Sequence, residues 1–146
     1  MDKRKEIFES IKDGITLEDK PLLLKWNSDL KTLLTDTINN HVDDNYIFLN
    51  FGDCTIFGGF EIKLSTSQSR DKGDLLFELG GALNNNEEAK SLICKFERVI
   101  GKPDYFSETY GESYAYWEDE NSRIEIYPRH HMGGEWFEYR IKTKCS

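Results

Sequence analysis

The chain has 146 residues, a net charge of −8, 38% apolar residues and a mean hydropathy of −0.64. A domain of this size buries about 70% of its unfolded surface without a metal or disulfide staple, so residues 1–146 are read as one domain. The negative charge disfavours non-specific binding to nucleic acid or an anionic membrane, which needs clustered Lys and Arg, and leaves a basic protein as the suitable partner.

The N-terminus, MDKRKEIFESIKD, is charged throughout and lacks the apolar core of a signal peptide. No apolar run approaches the roughly 18 residues of a membrane span. Cys54, Cys94 and Cys145 are odd in number and widely spaced, which argues against a disulfide framework and for a reducing, cytoplasmic setting.

Residues 2–13 read as a short helix with Ile7, Phe8 and Ile11 on one face and Gly14 as its stop. PLLLKW (21–26) suits either a strand or an early helix. Asn27 or Ser28 would cap a helix carrying Leu30, Leu33, Leu34 and Ile38. YIFLNF (46–51) and CTIFGGFEIKL (54–64) read as two strands, with Gly58 and Gly59 marking a bulge or close approach in the second. STSQSRDKGD (65–74) reads as a loop and LLFEL (75–79) as a short strand. The clearest helix is 87–100, with Ala89, Leu92, Ile93, Phe96, Val99 and Ile100 in one apolar stripe. Asn85 and Glu88 suit its N-terminus, and Gly101 and Pro103 end it. Residues 113–117, 123–127 and 135–143 alternate as a three-stranded meander, with PRHHMGG as a loop before the last strand. The expected fold is therefore α+β: a mostly antiparallel sheet with helices packed on one face and a C-terminal three-stranded meander.

No catalytic motif is present. Gly58-Gly59 and Gly80-Gly81 match no phosphate-binding loop, and there is no GxSxG or nucleotide fingerprint. None of the cysteines carries a nucleophile signature. His130 and His131 are adjacent, without HxH, HxxxH or HExxH spacing, and read as an exposed loop. A metal there would need a further ligand such as His41, Cys145 or a carboxylate. No metal, cofactor or catalytic residue is expected.

The outstanding segment is 104–120, DYFSETYGESYAYWEDE, with six acids and six aromatic rings in seventeen residues and no base. From Asp74 to Glu120, 11 acids against four bases leave −7. Acids resist burial, whereas rings gain from burial or from a partner. The segment is either a core edge under an acidic skin or a contact surface with aromatic anchors. Tyr114 with Tyr116, and Ala115 with Trp117, alternate to opposite faces, so one pair is left for the surface.

EEAKSLICKFERVIGKPD (87–104), running into YAYWEDENSRIEIYPR (114–129), resembles the immunity proteins of bacterial polymorphic-toxin and contact-dependent growth-inhibition systems. The resemblance covers about the second half and implies a small cytoplasmic protein that binds and neutralises a cognate toxin domain, often a nuclease. A basic nuclease cleft would accept an acidic ridge with aromatic anchors. The expected contact residues are Glu108, Glu112, Tyr114, Tyr116, Trp117, Glu118, Asp119 and Glu120. An alternative is a ligand-binding or enzymatic α+β domain with an aromatic pocket near His130 and His131. A third is a nucleic-acid mimic or accessory protein.

Overall fold

We describe residues 2–144 in a computed structural model. In chain order the elements are α1 (Lys3–Ser10), β1 (Gly14–Leu17), β2 (Leu22–Lys25), a 3-10 helix (Leu30–Asp36), β3 (Asn39–Val42), β4 (Tyr46–Ile56), β5 (Phe60–Ser69), a 3-10 turn (Arg70–Lys72), β6 (Glu78–Leu83), α2 (Asn86–Ile100), β7 (Tyr105–Thr109), β8 (Glu112–Glu118), β9 (Ser122–His131) and β10 (Gly134–Thr143). Eight strands form one antiparallel sheet in the order β3-β4-β5-β6-β10-β9-β8-β7. β1 and β2 form a separate hairpin. The α+β class with helices on one sheet face is as expected. Among the described residues no helix is long and apolar enough to cross a membrane.

One continuous apolar core lies between the sheet and the layer made by the helices and the β1–β2 hairpin. α2 supplies Ala89, Ile93, Phe96 and Ile100, and the strands below supply Ala115, Trp117, Ile124, Ile126, Phe137 and Ile141. The caps of α2 follow its sequence. The Asn85 side chain accepts from the Glu88 N–H at 2.9 Å, Glu88 reaches back to the Asn84 N–H at 2.7 Å, and Gly101 closes the helix with φ 103°.

Several local expectations give way to tertiary demands. The expected helix after Asn27 is a 3-10 turn of seven residues, capped by Asp29. Its stripe fails because Leu30 and Leu33 are buried whereas Ile38 is 65% exposed, and the chain leaves for β3. PLLLKW is a strand over Leu22–Lys25. Gly14 starts β1 instead of ending α1: a Cβ there would lie 2.7 Å from Lys25 Cα, so the hairpin requires a glycine.

The bulge of β4 falls at Phe51–Gly52, where the register with β5 shifts and Gly52 has φ 72°. β4 thus takes in the first expected strand and residues 54–56 of the second, whose remainder lies in β5 beyond a turn. Phe57, Gly58 and Gly59 are the hairpin turn between β4 and β5, and Glu18 holds it by accepting both glycine N–H groups at 2.7 and 3.0 Å. The expected loop 65–74 largely continues β5, because Thr66 and Gln68 alternate inward in polar guise. The expected strand 75–79 shifts to Glu78–Leu83, so Gly80 and Gly81 lie inside a strand. There they let β10 approach: a Cβ on Gly80 would overlap the Tyr139 carbonyl and sit 2.9 Å from Arg140 Cα.

The meander has four strands, because β7 adds to the three expected. β9 runs on to His131 and turns through Met132 and Gly133, with φ 48° and 80°, a two-residue primed turn. PRHHMGG is thus strand and turn. Gly80→Ala is expected to cost about 2 kcal/mol, the range for forcing extra volume into a packed site. Urea unfolding of the variant checks this.

Candidate functional site

β8 divides its residues cleanly. Ser113, Ala115 and Trp117 are buried, while Tyr114 and Tyr116 are half-buried on the opposite face. The Trp117 indole N–H donates to the Gly101 carbonyl at 2.8 Å, and its ring lies 5.7 Å from that of Phe96. Trp117 is therefore a core residue and leaves the set of expected contact residues. The pair on the open sheet face is Tyr114 and Tyr116.

These tyrosines join Tyr105 of β7. Tyr105 stacks on Tyr116 at 5.4 Å and meets Tyr114 edge-on at 5.5 Å. Together with Ser107, Thr109, Glu112 and Pro128 they line a shallow depression of about 460 Å³. The Arg123 guanidinium sits 3.7 Å from the centre of the Tyr116 ring, a cation–π contact.

Beside the tyrosines runs a ladder of charges across four strands, β8, β9, β10 and β6. Glu125 is 3% exposed. Its carboxylate takes Arg123 Nε at 3.1 Å and also Arg140 Nε. Arg123 continues to Glu118 at 3.0 Å, and Arg140 to Glu78 at 3.2 Å. Burial alone would lower the Arg140 and Arg123 pKa values, but the carboxylate of Glu125 leaves both raised. Burial pushes the Tyr127 hydroxyl up strongly, and Tyr127 donates to Glu138 at 2.9 Å. Past Arg140 the missing side chains of Gly80 and Gly81 leave a polar trough of about 450 Å³, rimmed by Lys72, Arg129, Glu78 and Glu138.

The acids of 104–120 are mostly engaged within the molecule. Asp104 pairs with Arg4, Glu108 with Lys90 at 3.8 Å, Glu112 with His130, and Glu118 with both Arg123 and Lys144. Asp119 accepts the N–H groups of Asn121 and Ser122, each at 2.8 Å, and so shapes the β8–β9 turn. Glu120 is exposed. The structure places Glu112, Tyr114 and Tyr116 on one face of β8, whereas Glu108 lies on the opposite face beside Lys90 of α2. Glu118, Asp119 and Glu120 lie at the far end of β8, about 20 Å from Glu112 at strand rise, with Glu118 next to Tyr116 on the same face. They do not form one acidic ridge.

The β8–β9 ladder stops at Ala115 opposite Ile126. Pro128 follows and has no N–H to offer, so β9 continues with β10 alone. At this opening His130 of β9 meets Glu112, with Glu135 of β10 close by. The His131 side chain and Cys145 lie outside the described residues; His41 pairs with Asp43 far along the chain, at 2.9 Å. Cys94 is exposed and Cys54 is buried, where desolvation raises its thiol pKa.

Sequence reasoning missed Tyr105, Arg123, Glu125 and Arg140. The signal for the three charged residues was the alternation of opposite charges in RIEIY (123–127) and EYRIK (138–142), two neighbouring strands that pair Arg140 with Glu125. No family model matches the chain, and comparison with characterised proteins and with solved structures finds no match.

Glu125→Ala leaves two guanidiniums facing a void. It is expected to cost about 3 kcal/mol, the lower end for breaking a buried ion pair, because both arginines keep some contact with water. Chemical unfolding measures it. For Asp104, burial would raise the pKa, but hydrogen bonds from Arg4 and the Glu118 N–H leave it lowered. A lowered carboxyl stabilises the fold above its unfolded pKa, near 4, and that contribution is lost as pH falls through the folded value. Asp104→Asn should therefore lower the urea midpoint at pH 7, and the gap to the parent protein should narrow as pH falls below the unfolded pKa and through the lowered folded value.

Proposed function

We propose that the protein binds and neutralises a cognate toxin domain, the role implied by its resemblance to immunity proteins, and that it does so through β7, the turn after it and the tyrosine depression alongside. Its role is binding, not catalysis, and its setting the cytoplasm. The observation that carries this reading is Tyr110. It is 98% exposed and occupies the first position of the two-residue β7–β8 turn with φ 54°. That turn favours Asn or Gly, and a tyrosine there gains nothing from the fold. An exposed ring held in an uncommon backbone state suits a contact anchor.

Two further features support the same surface. β7 is a sheet edge, paired only with β8, so one side of its backbone is open to another strand. Phe106, 51% exposed, points away from the tyrosines and closes an apolar hollow of about 360 Å³ with Ile93, Cys94 and Pro103. Aromatic anchors of this kind dominate interface energetics. The net charge of −8, with Glu120 exposed, favours a basic partner and faster encounter at low salt.

The ligand-binding alternative has one observation in its favour: Glu112 lines the tyrosine depression and pairs with His130. The depression is open and shallow, which suits a protein side chain better than a small molecule.

Tyr110→Asn separates folding from binding. The turn preference should leave stability unchanged or raise it by up to about 1 kcal/mol, whereas affinity for the neutralised domain should fall by about 2 kcal/mol or more. The measurement is co-purification of the chain with the product of its neighbouring reading frame, followed by calorimetry with each variant. A partner that binds Tyr110→Asn and Phe106→Asp as tightly as the parent protein would exclude this surface.

A further inference from the structure

The opening of the β8–β9 seam gathers three metal-binding side chains, of which only Glu112 also borders the depression used by the toxin-binding reading. We propose that Glu112, His130 and Glu135 form a site for a first-row divalent cation of the zinc class. The three come from three strands: Glu112 begins β8, while His130 and Glu135 are cross-strand partners on β9 and β10. One ligand atom of each lies within 4.8 Å of the other two. Tetrahedral ligand atoms around zinc sit closer than this, so small side-chain rotations at an exposed hairpin end complete the set.

A second observation points the same way. Glu112 Oε2 is shut off from solvent and accepts no hydrogen bond, although it faces His130 Nε2. The two atoms approach without the alignment a hydrogen bond needs. Two ligands of one zinc ion lie farther apart than these atoms do, so the side chains would part to admit the ion between them. An enclosed carboxylate oxygen whose partner is a poorly aligned imidazole is incompletely satisfied, and a cation would satisfy it better.

The donor set selects the class of ion. One imidazole nitrogen with two carboxylate oxygens is borderline in character. It suits zinc or manganese better than calcium or magnesium, which favour oxygen alone, and better than copper(I), which favours thiolate. Three protein ligands leave at least one position open. Because Glu112 also lines the tyrosine depression, the bound ion would border that hollow. The site stands independently of any toxin partner.

The test is calorimetric titration of Zn²⁺ into tag-free protein carrying Cys94→Ser and Cys145→Ser, so that no accessible thiol competes. One equivalent should bind, and Zn²⁺ should raise the urea midpoint. His130→Ala and Glu135→Gln should each weaken binding at least about tenfold, the cost of losing even an outer metal-shell partner. Both lie at an exposed strand end, and their metal-free urea midpoints should match the parent. His41→Ala, which removes the His41–Asp43 pair, should bind as the parent does. Absence of a saturable single site overturns the proposal. So does a His130→Ala variant with parental affinity, or a His41→Ala variant weakened as much as His130→Ala.

Discussion

The register of β8 governs what this molecule shows to its surroundings. Strand side chains alternate, so a slip of one residue would exchange every inward group for an outward one. Trp117 forbids the slip. Its ring fills the space under Phe96, and its indole N–H is matched to the Gly101 carbonyl, the residue that ends α2. Helix end and strand register are thereby set by one side chain. With Trp117 inside, Tyr114 and Tyr116 must face out and Glu118 must lie beside Arg123. The tyrosine cluster, the charge ladder and the Glu112 corner all inherit their positions from that choice.

The second consequence concerns charge. The −7 of residues 74–120 suggests an acidic face, yet the folded chain returns basic residues to it from afar. Arg4 comes from α1, Arg123 from β9, and Lys144 from the C-terminal end. Glu125 then sits between Arg123 and Arg140 on the open face of the sheet. Desolvating a carboxylate is costly unless several donors surround it. Here the donors are guanidiniums whose flat faces also cover Tyr116 and Tyr127. The open face is thus ordered by paired charges over rings, and its net field is weaker than composition implies.

Much of the architecture could be read from local pattern. α2 was legible because stripe, caps, Gly101 and Pro103 agree. The meander was legible because apolar and polar residues alternate without interruption. What could not be read depended on distant partners. Thr66 and Gln68 look like loop residues until β5 is seen to bury them. Gly80 looks like a turn until Tyr139 and Arg140 of β10 lie against it. The candidate surface was half legible: alternation divided Tyr114 and Tyr116 from Trp117, but only the packing of α2 decides which pair faces out. The stacking of Tyr105 and the pairing of Glu125 with Arg140 arise across strands, so the charge alternation of RIEIY and EYRIK hinted at the second and nothing local at the first.

The two edges of the sheet differ in a way that bears on where a partner would bind. Exposed edges invite pairing with other chains, and proteins blunt them. β3 is blunted: it is four residues long, and Asn39, Asn40 and His41 are polar. β7 is of similar length but carries Tyr105 and Phe106 and leads into Tyr110. Its acidic Glu108 is tied to Lys90, which removes part of the charge that would otherwise repel a second copy. Selection against aggregation would favour Lys or Pro along such a strand. Tyr105 packs on Tyr114 and Tyr116, but Phe106 on the other face of this open edge and Tyr110 in its left-handed turn are exposed, which is costly in solubility. A partner of the kind proposed above that adds a strand to β7 would offset that cost and would bring its own side chains to both the tyrosine depression and the hollow behind Phe106.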